Sequence, residues 1–317
     1  MHKSRSVPSS FKRLIMTLLF LTLAVMSAAC GSSQEAGADG KLKVTTTIGM
    51  ISDIVAQVGG EHVKVTGLMK SGVDPHLYKA SQGDVKKLEQ ADIIFYNGLH
   101  LEGKMVDMFE KMGKTKPTVA VSRSIPESKL RGWDGGEASH DPHIWFDVMH
   151  WISATEVVRE ELSKLDAAHA EAYRNNAAAY TKQLEELDRY AKEQIASIPE
   201  PQRVLVTAHD AFGYFGDAYG IKVMGLQGIS TASEYGSKDV SDLRDFLVKN
   251  KIKAVFVESS VPKKSIEAVI QGAKKQGHTI TIGGELYSDA MGKEGTPEGT
   301  YVGMVRHNVD TIVKALK

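Results

Sequence analysis

The chain holds a single cysteine, Cys30, so no internal disulfide can staple it and its fold must rest on a hydrophobic core. It has no surplus of either charge: 39 basic residues balance 39 acidic ones, and no arginine-rich run or basic patch points to nucleic acid. The apolar run Leu14 to Val25, broken only by threonines, is shorter than the ~20 residues a membrane-spanning helix needs. No His-Glu-x-x-His or nucleophile motif is present, which leaves little for a hydrolase to work with. Between Asp166 and Ile198 there is neither glycine nor proline.

What stands at the N-terminus is an export signal. Lys3, Arg5, Lys12 and Arg13 form a positive segment, the apolar run follows, and the small residues Ser27, Ala28 and Ala29 lead to Cys30. Residues 1–29 are therefore predicted to be a signal peptide, with an uncleaved helical anchor as the alternative. Cys30, followed by Gly31, Ser32 and Ser33, resembles a bacterial lipobox, in which the thiol is acylated and becomes the new N-terminus. Ser27 departs from that pattern, standing where an aliphatic residue is usual, and an ordinary cleavage beside an incidental cysteine is the competing reading. Residues 30–40 then form a flexible tether rich in Gly, Ser and Ala. Removal of 1–29 takes four basic residues and no acidic one, leaving 35 against 39, a formal charge of −4. That slight acidity suits a cationic ligand without locating a site.

From Lys41 onward, short β-branched runs alternate with amphipathic stretches. Strands are predicted at Lys43 to Thr47, Val63 to Leu68, Asp92 to Tyr96 and Thr118 to Val121, with helical stretches at Asp53 to Val58 and Asp84 to Gln90. The pattern restarts with strands near Val204 to Thr207, Lys222 to Gly225, Ala254 to Val257 and Thr279 to Ile282, the later ones separated by helices Lys238 to Asn250 and Lys263 to Gln276. Such alternation implies an α/β fold with mainly parallel strands, built twice. Between the halves, Asp166 to Ile198 reads as one helix, with Tyr173, Ala177, Tyr180, Leu184, Leu187, Ala191 and Ile195 on one apolar face and Pro199 and Pro201 ending it. The expected organisation is an N-terminal lobe at 41–165, a stiff connecting helix at 166–198 and a C-terminal lobe at 199–317. A long surface helix within one domain is the alternative.

Eleven histidines make any one of them weak evidence. Three sit in unusual contexts. Asp74-Pro75-His76-Leu77-Tyr78 and Asp141-Pro142-His143-Ile144-Trp145 repeat one pattern, and Thr207-Ala208-His209-Asp210 closes the first strand of the second half. Asp289 is a fourth candidate, just beyond Gly283-Gly284. In open α/β sheets ligands bind beyond the carboxyl ends of strands, where His76, His209 and Asp289 fall. Each proline stiffens the loop that carries the imidazole, and the preceding aspartate could turn the backbone or orient the ring. Tyr78, Trp145, Phe212 and Tyr214 are expected to form a dry wall. A surface turn with an incidental histidine is the bland reading of either Asp-Pro-His alone.

Those motifs, with Gly72-Val-Asp-Pro-His-Leu-Tyr, Tyr96-Asn-Gly-Leu-His-Leu-Glu, Val257-Glu-Ser-Ser and Gly283-Gly-Glu-Leu-Tyr-Ser-Asp-Ala-Met-Gly, make the chain similar to the metal-binding lipoproteins of manganese and zinc ABC importers across residues 41 to 317. The resemblance implies two α/β lobes joined by a rigid helix, with one ion between them held by His76, His143, His209 and Asp289. It also implies a monomer anchored at the outer membrane face through Cys30, delivering its cargo to an ABC permease and catalysing nothing. His100 is expected to help its loop hold shape, His140 to be at most auxiliary, and Glu258 to hydrogen-bond a ligand. His62, His150, His169, His278 and His307 are expected on the surface or in the core. Three imidazoles and a carboxylate can take Zn, Mn, Fe or Co; a tetrahedral arrangement favours zinc, and binding through both Asp289 oxygens favours manganese. Zinc-specific members often insert a histidine-rich loop before the second ligand motif, whereas Gly132 to Asp141 has only His140, so Mn2+ is the favoured cargo and Zn2+ the rival. A zinc hydrolase and a surface adhesin are the alternatives of other classes.

Overall fold

The computed structural model describes residues 40–133 and 140–317. The expectations for 1–39, Cys30 among them, lie outside the described residues. The first half is a parallel sheet whose strands are linked by helices: β1 (Leu42–Thr46), α1 (Gly49–Gly59), β2 (Val63–Gly67), α2 (Gln82–Gln90), β3 (Ile93–Tyr96), α3 (Val106–Gly113) and β4 (Thr118–Ala120). The order is β2-β1-β3-β4, with Val44 opposite both Val65 and Ile93 and Phe95 opposite Val119. Val44, Ile93, Ile94 and Phe95 are buried, as the short apolar runs of a sheet covered by helices should be.

Two helices follow, α4 (Val148–Leu165) and α5 (Ala170–Ala196). The second half then repeats the first theme with β5 (Val204–His209), α6 (Gly213–Tyr219), β6 (Lys222–Gln227), α7 (Ser237–Lys249), β7 (Ala254–Glu258), α8 (Lys264–Lys275), β8 (Thr281–Leu286) and α9 (Tyr301–Leu316). β5 pairs β6 and β7 pairs β8, both in parallel, and β5 runs beside β7. Among the described residues no helix is long and apolar enough to cross a membrane.

The long helix departs from its predicted start. Asp166 leaves helical geometry (φ −127°, ψ 73°), closes α4, and leads through a 3-10 turn, Ala167–His169, into α5. Its carboxylate stabilises the break by accepting from the Tyr173 hydroxyl at 2.7 Å and bonding His169 Nδ1 at 2.8 Å. At the far end Pro199 disfavours helical backbone at the residue before it, and α5 stops at Ala196. The apolar stripe is where periodicity placed it: Tyr173, Ala177, Tyr180, Leu184, Leu187, Ala191 and Ile195 are all buried.

Side chains on α5 grip the first half through Asn176 Nδ2 to the Val58 carbonyl (3.0 Å) and Tyr180 Oη to Asp53 (2.8 Å), and the second half through Tyr190 to Asp310. One apolar cluster runs from Val44 and Phe95 through α4 and α5 to Phe256, Leu286 and Met304. A second, smaller cluster (Val206, Leu243, Leu247, Val255, Ile266) belongs to the second half alone.

Candidate metal centre

Each candidate residue leaves a sheet at its carboxyl edge or enters from the loop that crosses it. His76 lies between β2 and α2, His143 just before the 3-10 turn Ile144–Phe146, His209 at the last position of β5, and Asp289 three residues past β8. The structure brings all four together: one ligating atom from each lies within 4.8 Å of the others, and all four side chains are buried. His143 Nε2 stands 3.3 Å from Asp289 Oδ1, and His209 Nε2 stands 3.4 Å from Asp289 Oδ2. His76 Nε2 is 3.8 Å from Asp289 Oδ2 and 3.3 Å from His143 Nε2. Among the described residues this is the one group of three or more such side chains with ligand spacing.

The donor set fits a cation. His209 Nε2 and both Asp289 oxygens are buried without a hydrogen-bond partner, an arrangement that is costly unless something positive sits among them. On two of the three rings the other nitrogen is spoken for. Asp141 Oδ1 bonds His143 Nδ1 at 2.7 Å and its backbone N–H at 3.0 Å. Glu258 Oε2 bonds His209 Nδ1 at 2.5 Å and Oε1 accepts its N–H at 2.9 Å, as expected of that glutamate. A ring whose Nδ1 donates to a carboxylate presents Nε2 as the electron pair for a metal.

Asp74 shares only the backbone half of Asp141's role. Its Oδ1 accepts the backbone N–H of His76 at 2.9 Å, an Asx turn, and its Oδ2 accepts the Thr231 hydroxyl at 2.6 Å from the second half. The aromatic wall is also only partly as expected. Trp145 packs edge-on to the His143 ring (centroids 5.2 Å), and Phe212 stacks on Phe146. Tyr214 hydrogen-bonds the Asp141 carbonyl, while Tyr78 turns away to donate to Asp84 at 2.8 Å and closes the loop before α2.

Burial and neighbouring charge set the protonation of the cluster. For His76 burial dominates and pulls its pKa down to about 3. Burial also opposes the charged forms of His143 and His209, but their carboxylate neighbours win. His143, beside Asp141 and Asp289, is pushed up to about 9, and His209, beside Glu258 and Asp289, lies well above the ordinary histidine range. Burial opposes ionisation of Asp289 too, yet the three imidazoles hold it well below the usual carboxylate range.

Residues 44–315 match the family of ZnuA, the periplasmic zinc-uptake complex component A. The chain belongs to this family. Its relatives in the ZnuA family match most of its length. It is 55% identical over 305 residues to the manganese-binding lipoprotein MntA of Bacillus subtilis, covering 96% of this chain and 99% of that one. It is 51% identical over 284 residues to the zinc-binding protein TroA of Treponema pallidum, covering 90% and 92%. The solved structure of that periplasmic zinc-binding protein superposes with a TM-score of 0.85 over 87% of this chain and 99% of its own. These are uptake components with two-lobed α/β folds, not enzymes.

Several supporting contacts were not legible in the sequence. Asn308 on α9 accepts the Tyr287 N–H at 2.9 Å and donates to the Tyr287 carbonyl at 2.7 Å, and Trp145 Nε1 donates to the Ser288 carbonyl at 3.0 Å. Together they hold the loop that carries Asp289. His100 does not brace its own loop as expected; it is exposed, and the buried Glu102 accepts the loop's N–H groups instead. His140 stands outside the cluster, 3.9 Å from Glu127. His278 and His307 hydrogen-bond backbone carbonyls, and His62 stacks on His169.

Proposed function

We propose that this chain is the extracytoplasmic, lipid-anchored binding component of an ABC metal importer, capturing one divalent ion, Mn2+ by preference, and passing it to a permease. His76, His143, His209 and Asp289 are the ligands. The observation that carries the reading is the set of buried, unpartnered atoms of His209 and Asp289 facing two further imidazoles. The ion is cargo: it is bound and released unchanged, and the protein supplies donors of the right kind, held in place and shielded from water.

Both Asp289 oxygens turn towards imidazoles, Oδ1 to His143 and Oδ2 to His209. Three nitrogens and two oxygens make up to five donors, which supports manganese over a four-coordinate zinc site. The name of MntA points the same way. Zinc is the second reading, favoured by the TroA relative and by the Irving–Williams trend, under which zinc binds at least as tightly whatever the cargo in the cell. Residues 1–29 act as the signal peptide, Cys30 carries the lipid and 30–40 is the tether, a reading supported by the lipoprotein relative. Lobes at 41–165 and 199–317, joined through 166–198, work as a monomer.

Metal analysis of protein purified without chelator or affinity-tag nickel tests the proposal. About one manganese or zinc per chain is expected, followed by competition titration of the two ions. Protein that takes up neither ion, or that takes up equal amounts after all four ligands are replaced by alanine, would end it.

A further inference from the structure

The loop after β3 has an unusual backbone where the sheet does not require one. Gly98, Leu99 and His100 follow one another with φ of 87°, 53° and 62°. Left-handed backbone is disfavoured for both residues that bear a side chain, and such strain persists only where the surroundings hold it. Glu102 supplies the hold. Its side chain is 3% exposed; Oε1 accepts from the Thr47 hydroxyl at 2.6 Å and the Asn97 N–H at 2.8 Å, and Oε2 accepts the Gly98 N–H at 3.3 Å. Thr47 directly follows β1 and Asn97 directly follows β3, so one carboxylate pins the loop to the carboxyl edge of two adjacent strands.

What the loop presents is Asn97, wholly buried. Its Nδ2 donates to the Gly98 carbonyl at 3.1 Å and, 45 residues away, to the Pro142 carbonyl at 2.9 Å. Pro142 has no N–H of its own and directly precedes His143. The far side of that histidine is fixed by Asp141. The Asn97 amide therefore ties the first sheet to the peptide that aims an imidazole into the cluster, though neither Asn97 nor Glu102 belongs to the cluster itself.

We infer that Asn97 and Glu102 are positioning residues for the metal centre: Glu102 holds the 97–101 loop in its strained form, and Asn97 uses that form to set Pro142 and thereby the direction of His143 Nε2. The inference rests on the metal-binding reading above. It makes the two residues act in series, so their effects on metal binding are not additive.

Co2+ is the probe, because its visible absorption reports coordination geometry directly. Asn97→Ala and the near-isosteric Asn97→Asp, which keeps the shape but loses the donor, are expected to alter the Co2+ spectrum and weaken binding about 10- to 100-fold. Glu102→Gln moves both in the same direction, and the Asn97→Ala/Glu102→Gln double variant binds no worse than Asn97→Ala alone. Leu247→Ala, which opens the remote second core, keeps the wild-type spectrum and affinity despite its lower stability. Wild-type spectra in both Asn97 variants, additive losses in the double variant, or an equal spectral change in Leu247→Ala would each overturn the inference. Should the Asn97 variants fail to fold, the wild-type protein still decides. On Zn2+ addition the Asn97 side-chain amide resonance should shift, while that of Asn176, bonded to Val58, should not; a stationary Asn97 signal counts against the tie. Failure of the wild-type protein to bind Co2+ would instead remove the metal-binding reading on which the tie depends.

Discussion

Two of the three clustered imidazoles bind protons more firmly than free histidine, and a metal must displace those protons to reach the nitrogens. His76, held neutral by burial, is ready at any physiological pH, whereas His143 and His209 keep a proton that Asp141, Glu258 and Asp289 favour. Histidine's reference pKa of about 6.5 would confine proton competition to mildly acid solution. The raised value for His143, about 9, moves it upward, so apparent metal affinity should go on rising from pH 6.5 to about 9. Mn2+ binding at pH 7 should accordingly release about two protons, read by calorimetry in buffers of different ionisation enthalpy. Release of none would exclude His143 and His209 as ligands. Glu258→Gln is expected to weaken binding about 10- to 100-fold by loosening the His209 ring. It should also flatten the pH dependence, because the amide no longer favours the imidazolium. The clustered histidines were legible because each carries its context next to it in the chain, Asp-Pro-His or Thr-Ala-His-Asp. Glu258 was legible from its place at a strand end. Asn97, Asn308 and Tyr78 were not, since each acts on a partner that no local pattern identifies: Pro142 for Asn97, Tyr287 for Asn308, Asp84 for Tyr78.

At the scale of elements, periodicity located the strands to within a residue or two, and it failed where tertiary packing overrode a local signal. Gly283-Gly284 reads as a stop after Ile282, yet β8 runs through it to Leu286. A Cβ on Gly283 would meet Phe256 and Ala315 at 2.8 and 2.7 Å, and one on Gly284 would meet Thr311 at 2.3 Å. The glycines are there so that β7 and α9 can close on the strand, a reason invisible without the partners. At Asp166 the boundary was legible but its form was not: the residue ends one helix, and a 3-10 turn, Ala167–His169, precedes the long one. The end of α2 shows how a distant residue can finish a helix. Lys116, just before β4, donates Nζ to the carbonyls of Leu88 (3.0 Å), Glu89 and Ala91 (2.7 Å), meeting the negative end of the helix dipole. Lys116→Met should cost about 1–2 kcal/mol of stability in urea and leave metal affinity as it was. A variant as stable as the wild type would mean that water replaces the ammonium without loss.

For the whole molecule, an ion held by the cluster would be one more tie between halves that are already joined. The principal apolar cluster runs continuously through both, and α5, with 27 residues at about 1.5 Å each, grips both along its length. Tyr180 and the Tyr301 backbone meet on Asp53, and Trp145 reaches the Ser288 carbonyl. Such a frame does not open like a hinge on a flexible linker. Metal binding should therefore appear as stabilisation rather than as a large change of shape. An ion bound only by the folded state adds about 2.7 kcal/mol at a concentration of 100 times its Kd. The metal-free protein behaves in the opposite way with pH. Since His143 has a folded pKa above its unfolded value, its contribution is complete below about pH 6.5 and is lost as pH rises through about 9. Metal stabilisation grows over the same interval as protons cease to compete. The gap in melting temperature between Mn2+-loaded and metal-free protein should thus widen steadily from pH 6.5 to 9, and His209→Ala should close it at every pH. A gap that is constant across the interval, or that survives in His209→Ala, would mean that the ion which stabilises the fold is held somewhere other than among His76, His143, His209 and Asp289.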